Sequence, residues 1–168
     1  RPSPPRVRLM PSLDAIFKAY GVRGTVPEQL DVELARAIGV GFATFALEDA
    51  AARSGSVSRV LVARDMRPSG VALTEAFAQG VRSQGLDVVD LGLGSTDLLY
   101  FASGSMDAPG AMFTASHNPA QYNGAKFCMA GARPVGEDTG LGRILEVGNA
   151  SLAGSVAPSG TEGSLEHT

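Results

Sequence analysis

Residues 58–91, SRVLVARDMRPSGVALTEAFAQGVRSQGLDVVDL, decide the fold predicted for this chain. They begin with a short valine-rich apolar run, residues 58–63, and close with a second one, residues 86–91, both typical of buried strands. Between the two runs, Ser69 can cap a helix that ends at Gly85. The residues of its buried face are Leu73, Phe77, Gly80 and Val81. A strand, a helix and a strand at this spacing predict a βαβ unit of an α/β fold.

The flanking sequence extends this unit with further helices and strands. Asp31 can cap a helix with apolar residues on one face, namely Leu34, Ile38, Phe42 and Phe45. A short helix is predicted at residues 95–102, and a final helix near residues 137–147. Residues 112–115 and 125–129 predict two more strands, joined closely enough to run antiparallel. The prediction is therefore a three-layer α/β fold, with a mixed sheet flanked by helices.

Composition and charge restrict the classes of function. The net charge of −3 argues against a nucleic-acid-binding protein, which needs a concentrated basic surface. We find no apolar run of the length that spans a bilayer. The single cysteine, Cys128, cannot form an internal disulfide, and residues 1–6 are not followed by the apolar core of a signal peptide. We therefore expect a cytoplasmic protein that binds neither nucleic acid nor a membrane.

The 168 residues are predicted to form one domain with flanking segments. Residues 1–12 are rich in proline, serine and arginine and are predicted to be a flexible lead-in. Residues 13–148 carry the α/β pattern. Beyond them the composition shifts to small and polar residues, which predicts a linker over residues 149–168.

The candidate chemistry is concentrated in residues 112–127, MFTASHNPAQYNGAKF. An apolar run places Ser116 at the end of a strand, and Pro119 disfavours helix for the residue before it. We therefore expect the Ser116 hydroxyl to project from a kinked, exposed loop. A serine hydroxyl is a weak nucleophile, so it needs an adjacent base or prior covalent activation. His117 comes next, and the sequence leaves open whether it orients the loop or is structural.

A second short pattern lies near the start of the predicted domain. Residues 14–24, DAIFKAYGVRG, combine a strand-like run with a turn bracketed by glycines, which predicts that Arg23 is displayed on a loop. Arg64 and Arg67 follow the strand at residues 58–63 and are secondary candidates, since a pair of exposed arginines is typical of a solvated loop.

Two of these patterns resemble motifs of a known enzyme family. Residues 114–119, TASHNP, followed by residues 122–126, YNGAK, resemble the phosphoserine loop of the α-D-phosphohexomutases, in particular their bacterial phosphomannomutase/phosphoglucomutase branch. The segment at Tyr20 and Arg23 resembles the family's Tyr-Asp-hydrophobic-Arg-Gly element, with Gly21 in place of the acid. The resemblance covers nearly the whole chain, but only the first of the four domains of that architecture.

The resemblance implies a function and a role for each matched residue. The family interconverts hexose 6-phosphates and hexose 1-phosphates of mannose or glucose, through a phosphoserine and a 1,6-bisphosphate intermediate. Ser116 would carry the phosphate, Lys126 and Arg23 would stabilise charge and assist proton movement, and His117 would orient the loop or the phosphate. Tyr20, Arg23 and Lys126 would contact the hexose phosphate substrate. As an isolated domain, the chain would be incomplete and inactive.

The resemblance also implies a cofactor, an activator and a partner. A phosphate oxygen on Ser116 would ligate Mg²⁺, and glucose 1,6-bisphosphate would act as the activator. The family's metal-binding run, Asp-Gly-Asp-Gly-Asp-Arg, does not occur in this sequence. The remaining Mg²⁺ ligands are therefore expected from a second domain of the same polypeptide, toward which the linker would lead.

Three other functions share some of these sequence features. A phosphoglucosamine mutase usually carries a serine and an acidic residue where this chain has Thr114 and Tyr122. A non-catalytic α/β domain that binds a sugar phosphate or a partner would also lack metal ligands, although a missing second domain explains that absence more simply. A Ser/His hydrolase is disfavoured because the chain has no Gly-x-Ser-x-Gly elbow.

Overall fold

The computed structural model describes residues 12–168, and the lead-in predicted at residues 1–12 lies outside this range except for Ser12. The strands are β1 (Phe17–Lys18), β2 (Gly21–Thr25), β3 (Arg59–Arg64), β4 (Asp87–Leu93), β5 (Gly110–Phe113), β6 (Tyr122–Met129), β7 (Arg133–Pro134) and β8 (Leu165–His167). The helices are α1 (Val32–Ala52), α2 (Gly70–Ser83), α3 (Thr96–Met106) and α4 (Leu141–Leu152).

The strands form one mixed sheet. Seven of them follow the order β1-β2-β6-β5-β3-β4-β8, and β7 pairs with β6 outside this path. β3 is parallel to β4 and to β5, and β4 is parallel to β8. β6 runs antiparallel to β2, β5 and β7. The antiparallel pairing predicted for residues 112–115 and 125–129, which correspond to β5 and β6, is therefore confirmed.

The helices cover the two faces of the sheet unequally. Helices α1, α2 and α4 pack on what we call the aromatic face, where four phenylalanines are at most 1% exposed: Phe42, Phe77, Phe113 and Phe127. Helix α3 covers part of the opposite side, the α3 face, around a smaller cluster that includes Leu61, Met112 and Cys128. A sheet between two helical layers confirms the predicted three-layer α/β fold.

Local hydrogen bonds explain where the helices begin. Asp31 caps α1 as predicted, because its carboxylate accepts a hydrogen bond from the Leu34 amide at 2.9 Å. Ser95 caps α3 in the same way. Ser69 occupies the N-cap position of α2 as predicted, but its hydroxyl makes no capping hydrogen bond and instead accepts one from the Asn123 side-chain amide at 2.9 Å. Ser69 thereby connects the start of α2 to the segment that carries the candidate site.

Two parts of the segment predicted as a linker, residues 149–168, have regular secondary structure. Helix α4 starts at Leu141, after Gly140 with φ 133°, and continues to Leu152, whose side chain packs against the aromatic-face core. β8 then pairs with β4, and the Val88 amide donates to the Ser164 carbonyl at 2.8 Å. The hydrogen bonds between β8 and β4 join backbone groups, which every residue type has. The small and polar residues of this segment therefore did not predict a strand.

Candidate functional site

Two loops meet at the carboxyl edge of the central strands. β3 and β5 are parallel neighbours, and their last residues, Arg64 and Phe113, are paired. The chain therefore leaves both strands at the same edge, where α/β sheets place ligand crevices. We call residues 65–69 the β3 loop and residues 114–121 the serine loop. Side chains of both loops line one shallow groove: Asp65, Met66, Arg67, Pro68, Ser116, His117, Asn118 and Ala120.

Ser116 is exposed at the tip of this edge, as the sequence predicts. Its φ of 52° lies in the left-handed region, which costs a residue with a Cβ roughly 1–2 kcal/mol. The Ser116 amide donates to the Thr114 hydroxyl at 3.0 Å. Both the backbone amide and the side-chain amide of Asn118 donate to the Ala115 carbonyl, at 3.0 and 2.9 Å, and so close the turn. Local contacts thus hold the serine in a conformation that an unconstrained chain avoids.

Arg67 is the side chain that joins the two loops. One of its terminal guanidinium nitrogens donates to the Ser116 and Asn118 carbonyls, at 2.9 and 2.8 Å. The other donates to the Pro119 and Tyr122 carbonyls, at 2.7 and 3.1 Å. The side chain is only 9% exposed. The interpretation of Arg67 as part of a solvated loop is therefore wrong, because its partners are backbone carbonyls distant in sequence.

Asp65 links Arg67 to the base of the serine loop. Its carboxylate pairs with the Arg67 Nε at 3.3 Å and accepts a hydrogen bond from the Thr114 hydroxyl at 2.8 Å. The Asp65 amide in turn donates to the Phe113 carbonyl at 3.0 Å. Thr114 belongs to the TASHNP motif and Asp65 follows Arg64 at the end of β3, but neither had a role predicted from the sequence. Their positions, at the ends of two strands and 49 residues apart in the chain, do not identify them as partners.

Arg23 occupies a strand rather than the predicted loop. It lies in β2 opposite Gly124 of β6, and its guanidinium carbon lies 5.5 Å from the centre of the Tyr20 ring. Its Nε is buried and has no hydrogen-bond partner within the described part of the chain. Gly124 lets the strands approach, since a Cβ at this position would collide with the Val22 carbonyl. Gly21, one of the two glycines that predicted the turn, lies in β2 for a similar reason, since a Cβ there would collide with the Ala125 carbonyl of β6.

Lys126 lies on the same face of the sheet as Arg23. It is two residues from Cys128, which packs on the α3 face, and two residues from Gly124, which pairs with Arg23. A groove on this side is lined by Lys126, Tyr20 and Tyr100. Burial raises the pKa of the Tyr100 phenol, with a further contribution from the nearby Cys128 thiol.

The predicted site residues thus form two groups. Ser116 and the exposed His117 line the groove between the loops, whereas Tyr20 and Lys126 line the groove on the α3 face, with Arg23 against the Tyr20 ring. Within residues 12–168 no side-chain hydrogen bond joins the two groups. Ser116 and its loop are anchored by Arg67, while Arg23 and Lys126 supply cationic side chains that make no ion pair in this range.

The described residues do not by themselves form a magnesium site. Among residues 12–168, no group of three or more histidine, cysteine or carboxylate side chains could hold a metal ion. Asp65 is the carboxylate in the Ser116 groove, but its oxygens already pair with Arg67 and Thr114. A cation at Ser116 would therefore need ligands beyond those this chain is shown to supply. None of the helices in the same range combines the length and hydropathy needed to cross a bilayer.

Comparisons with known proteins agree on one family. A phosphohexose mutase of Xanthomonas campestris pv. campestris is 41% identical over 147 residues, which are 87% of this chain and 31% of that protein. A phosphomannomutase of Vibrio cholerae is 38% identical over 129 residues, 76% of this chain and 27% of its own length. This chain therefore spans about a third of the length of these relatives.

A solved structure and a family model give the same result. The structure, described as a phosphoglucomutase/phosphomannomutase family protein from Burkholderia thailandensis, superposes with a TM-score of 0.74 at 34% identity. The superposition covers 93% of this chain and 33% of that one. Residues 14–146 match the family model described as phosphoglucomutase/phosphomannomutase, alpha/beta/alpha domain I. This chain belongs to the phosphoglucomutase/phosphomannomutase family.

Proposed function

We propose that this chain is the N-terminal, phosphoserine-bearing domain of an enzyme that interconverts the 6-phosphates and 1-phosphates of mannose or glucose. The observation that supports this most is Ser116, an exposed serine in a left-handed conformation within a hydrogen-bonded loop at the carboxyl edge of the sheet. A loop that merely connects two strands does not require this conformation. A phosphoryl carrier does require a fixed oxygen that a substrate can approach.

The proposed reaction consists of two phosphoryl transfers. In the first, the bond between the Ser116 oxygen and phosphorus breaks, and a new bond forms to the free hydroxyl of the hexose monophosphate. The acceptor loses its proton, and the serine oxygen ends protonated. The resulting 1,6-bisphosphate reorients, and its other phosphate returns to Ser116 by the reverse exchange. Both steps rely on positioning and charge neutralisation.

The other site residues have proposed roles in these transfers. Lys126 and Arg23 neutralise charge on the phosphoryl group and assist proton movement at the acceptor hydroxyl, and Tyr20 lines the sugar-phosphate pocket. His117 orients the phosphate. The buried, unpaired Nε of Arg23 supports this assignment, because an orphan donor there would gain a partner from a bound phosphate oxygen.

We further propose that the complete enzyme needs components outside this chain. Mg²⁺ would neutralise phosphate charge, with one phosphate oxygen on Ser116 as a ligand and the others from a second domain of the same polypeptide. Glucose 1,6-bisphosphate would load the serine, and the isolated domain would be inactive. The buried free thiol of Cys128 is compatible with a reducing, cytoplasmic compartment.

Phosphopeptide mass spectrometry of the full-length protein tests the proposal. We expect one phosphoryl group on Ser116 after incubation with glucose 1,6-bisphosphate, and no mutase turnover above background in Ser116→Ala. The variant should still bind hexose phosphate, because the cationic residues of the site remain. Ser105→Ala, at an exposed position on α3, is the matched control and should turn over normally.

Three outcomes would contradict the proposal or change its substrate. Full turnover in Ser116→Ala would exclude the serine as the carrier. Hexose phosphate binding without any phosphate on Ser116 would favour a non-catalytic sugar-phosphate-binding domain. Faster turnover of glucosamine phosphate than of mannose or glucose phosphate would identify a phosphoglucosamine mutase.

A further inference from the structure

We infer that Arg67 is a positioning residue for phosphoryl transfer, which holds the serine loop so that the Ser116 oxygen faces its acceptor. The inference rests on the proposed function of Ser116. Arg67 acts through the loop backbone, and its guanidinium has a role distinct from that of a phosphate-binding arginine.

The Arg67 guanidinium makes hydrogen bonds with all of its donors. Arginine has five N–H donors. In Arg67, Nε faces the Asp65 carboxylate, and the two terminal nitrogens each face two carbonyls. These five contacts match the five donors, so none remains for a phosphate. The full positive charge is instead directed at the loop backbone.

The ion pair between Arg67 and Asp65 is largely buried. The Arg67 side chain is 9% exposed and that of its partner Asp65 is 18% exposed. A buried cation is costly unless it is paired and its donors are satisfied, and removal of one partner leaves the other uncompensated. This buried ion pair links the β3 loop to the serine loop, and loss of either partner would leave a buried charge without compensation.

Both peptide groups that flank the Ser116 Cα are held by hydrogen bonds. The preceding peptide is held through the Ser116 amide, which donates to the Thr114 hydroxyl. The following peptide is held through the Ser116 carbonyl, which accepts from Arg67. Thr114 and Arg67 are themselves joined by the Asp65 carboxylate. One connected network thus constrains both backbone torsions of Ser116, including its φ of 52°.

Lysine could not reproduce this arrangement. The four carbonyls belong to Ser116, Asn118, Pro119 and Tyr122. They surround a planar group with nitrogens at fixed separations, whereas an ammonium concentrates its donors at one point. A lysine at this position would leave at least one carbonyl and part of the loop unsupported.

The test uses the full-length protein with Arg67→Ala, Arg67→Lys and, as a matched control, Arg143→Ala, which removes a guanidinium from α4 remote from the loop. Because misplacement of a reacting group by about 1 Å can cost roughly 100-fold, we expect a loss of that order in kcat for Arg67→Ala. The KM for hexose phosphate should change less than about threefold, since the substrate does not touch Arg67. Arg67→Lys should remain impaired, and Arg143→Ala should behave as the unmodified protein.

Two further measurements separate positioning from a general effect on stability. Millimolar methylguanidinium should restore part of the kcat of Arg67→Ala, whereas methylammonium at the same concentration should not. Amide hydrogen exchange in residues 116–122 should accelerate in Arg67→Ala, while exchange in β3 and β5 stays slow. If Arg67→Ala does not fold, Thr114→Val replaces it, and Thr114→Ser, which keeps the hydroxyl, should lose much less turnover than Thr114→Val.

The inference is wrong if Arg67→Ala keeps its kcat, if only its KM rises, or if lysine restores turnover fully. A rise in KM alone would mean that Arg67 binds substrate directly. If the unmodified protein shows no phosphate on Ser116 and no mutase turnover, the proposed function fails. Amide exchange in residues 116–122 then still decides whether Arg67 holds the loop, and unchanged exchange there would overturn the inference.

Discussion

The two faces of the sheet are built in different ways. On the aromatic face, Phe127 stacks on Phe42 with ring centroids 4.9 Å apart, and Phe77 meets Phe113 edge-on at 5.2 Å. Three helices cover this face. The α3 face has a smaller apolar cluster and one helix, and the strands beside that helix carry Arg23 and Lys126.

This difference agrees with the position of the proposed phosphate site. Apolar burial supplies most of the stability of a fold, and the larger apolar cluster lies on the aromatic face under three helices. A face that is covered only in part retains grooves, and cationic side chains can lie at their borders without full desolvation. The larger part of the apolar core thus lies on the aromatic face, whereas the proposed site residues Arg23 and Lys126 lie on the α3 face.

The largest expected effect is a difference in the free energy of unfolding between substitutions at two adjacent residues of β6. Phe127 lies on the aromatic face and is 1% exposed, while Lys126 lies on the α3 face and is half-buried. Phe127→Ala should lower the free energy of unfolding by about 3–5 kcal/mol, because it leaves a cavity among stacked rings. Lys126→Ala should change it by less than about 1 kcal/mol. Urea denaturation followed by circular dichroism measures both, and equal losses would show that the two faces do not differ in this way.

A smaller loss of stability is expected on removal of the Ser103 hydroxyl, which joins α3 to the adjacent backbone. The Ser103 hydroxyl is fully buried, lies 2.8 Å from the Ala108 carbonyl and 3.1 Å from the Met129 carbonyl, and accepts from the Ala132 amide at 3.2 Å. Ser103→Ala leaves these groups unsatisfied and should cost roughly 1–3 kcal/mol.

The exposed Ser105 on the same helix provides the matched control for Ser103. Ser105→Ala should shift the free energy of unfolding by no more than about 0.5 kcal/mol. The denaturation midpoints of the two variants give this comparison. Similar midpoints for both would mean that packing, and not this hydroxyl, holds α3 on the sheet.

The features that could be predicted from sequence are local in the chain. The cap at Asp31 and the exposure of Ser116 depend on residues a few positions apart, and the antiparallel pairing of β5 with β6 joins residues 12–18 positions apart. Residue type and spacing contain that information directly. The fold class follows from the same local patterns, because alternating strands and helices have few ways to pack.

The features that were missed depend on contacts between distant segments. Arg67 is 49–55 residues from the carbonyls that it holds, and no side-chain pattern marks a carbonyl as a partner. Ser69 was expected to cap α2, but Asn123, 54 residues away, uses its hydroxyl. Arg23 was predicted on a loop because glycines that permit close strand contact resemble those that form turns.

The smallest expected change in stability comes from ion pairs at the edge of the aromatic face, and it depends on pH. Asp49 of α1 pairs with Arg53 and with Arg133 of β7, each at 3.2 Å. Burial opposes ionisation of Asp49, but hydrogen bonds from the two arginines outweigh it, so its pKa lies below the ordinary value of 3.8. A pKa lowered by folding stabilises the protein above the unfolded value, and that stabilisation is lost as the pH falls through the folded pKa.

Asp49→Asn should therefore lower the free energy of unfolding by about 0.2–1 kcal/mol at neutral pH, as expected for ion pairs near the surface. The difference from the unmodified protein should shrink as the pH falls below 3.8, because the native carboxyl then becomes protonated as well. Denaturation midpoints over this pH range measure it, with the exposed Asp138→Asn as control. A deficit that persists unchanged in acid would mean that the charge of Asp49 is not its source, since asparagine keeps the shape of the side chain and the native carboxyl is then neutral as well.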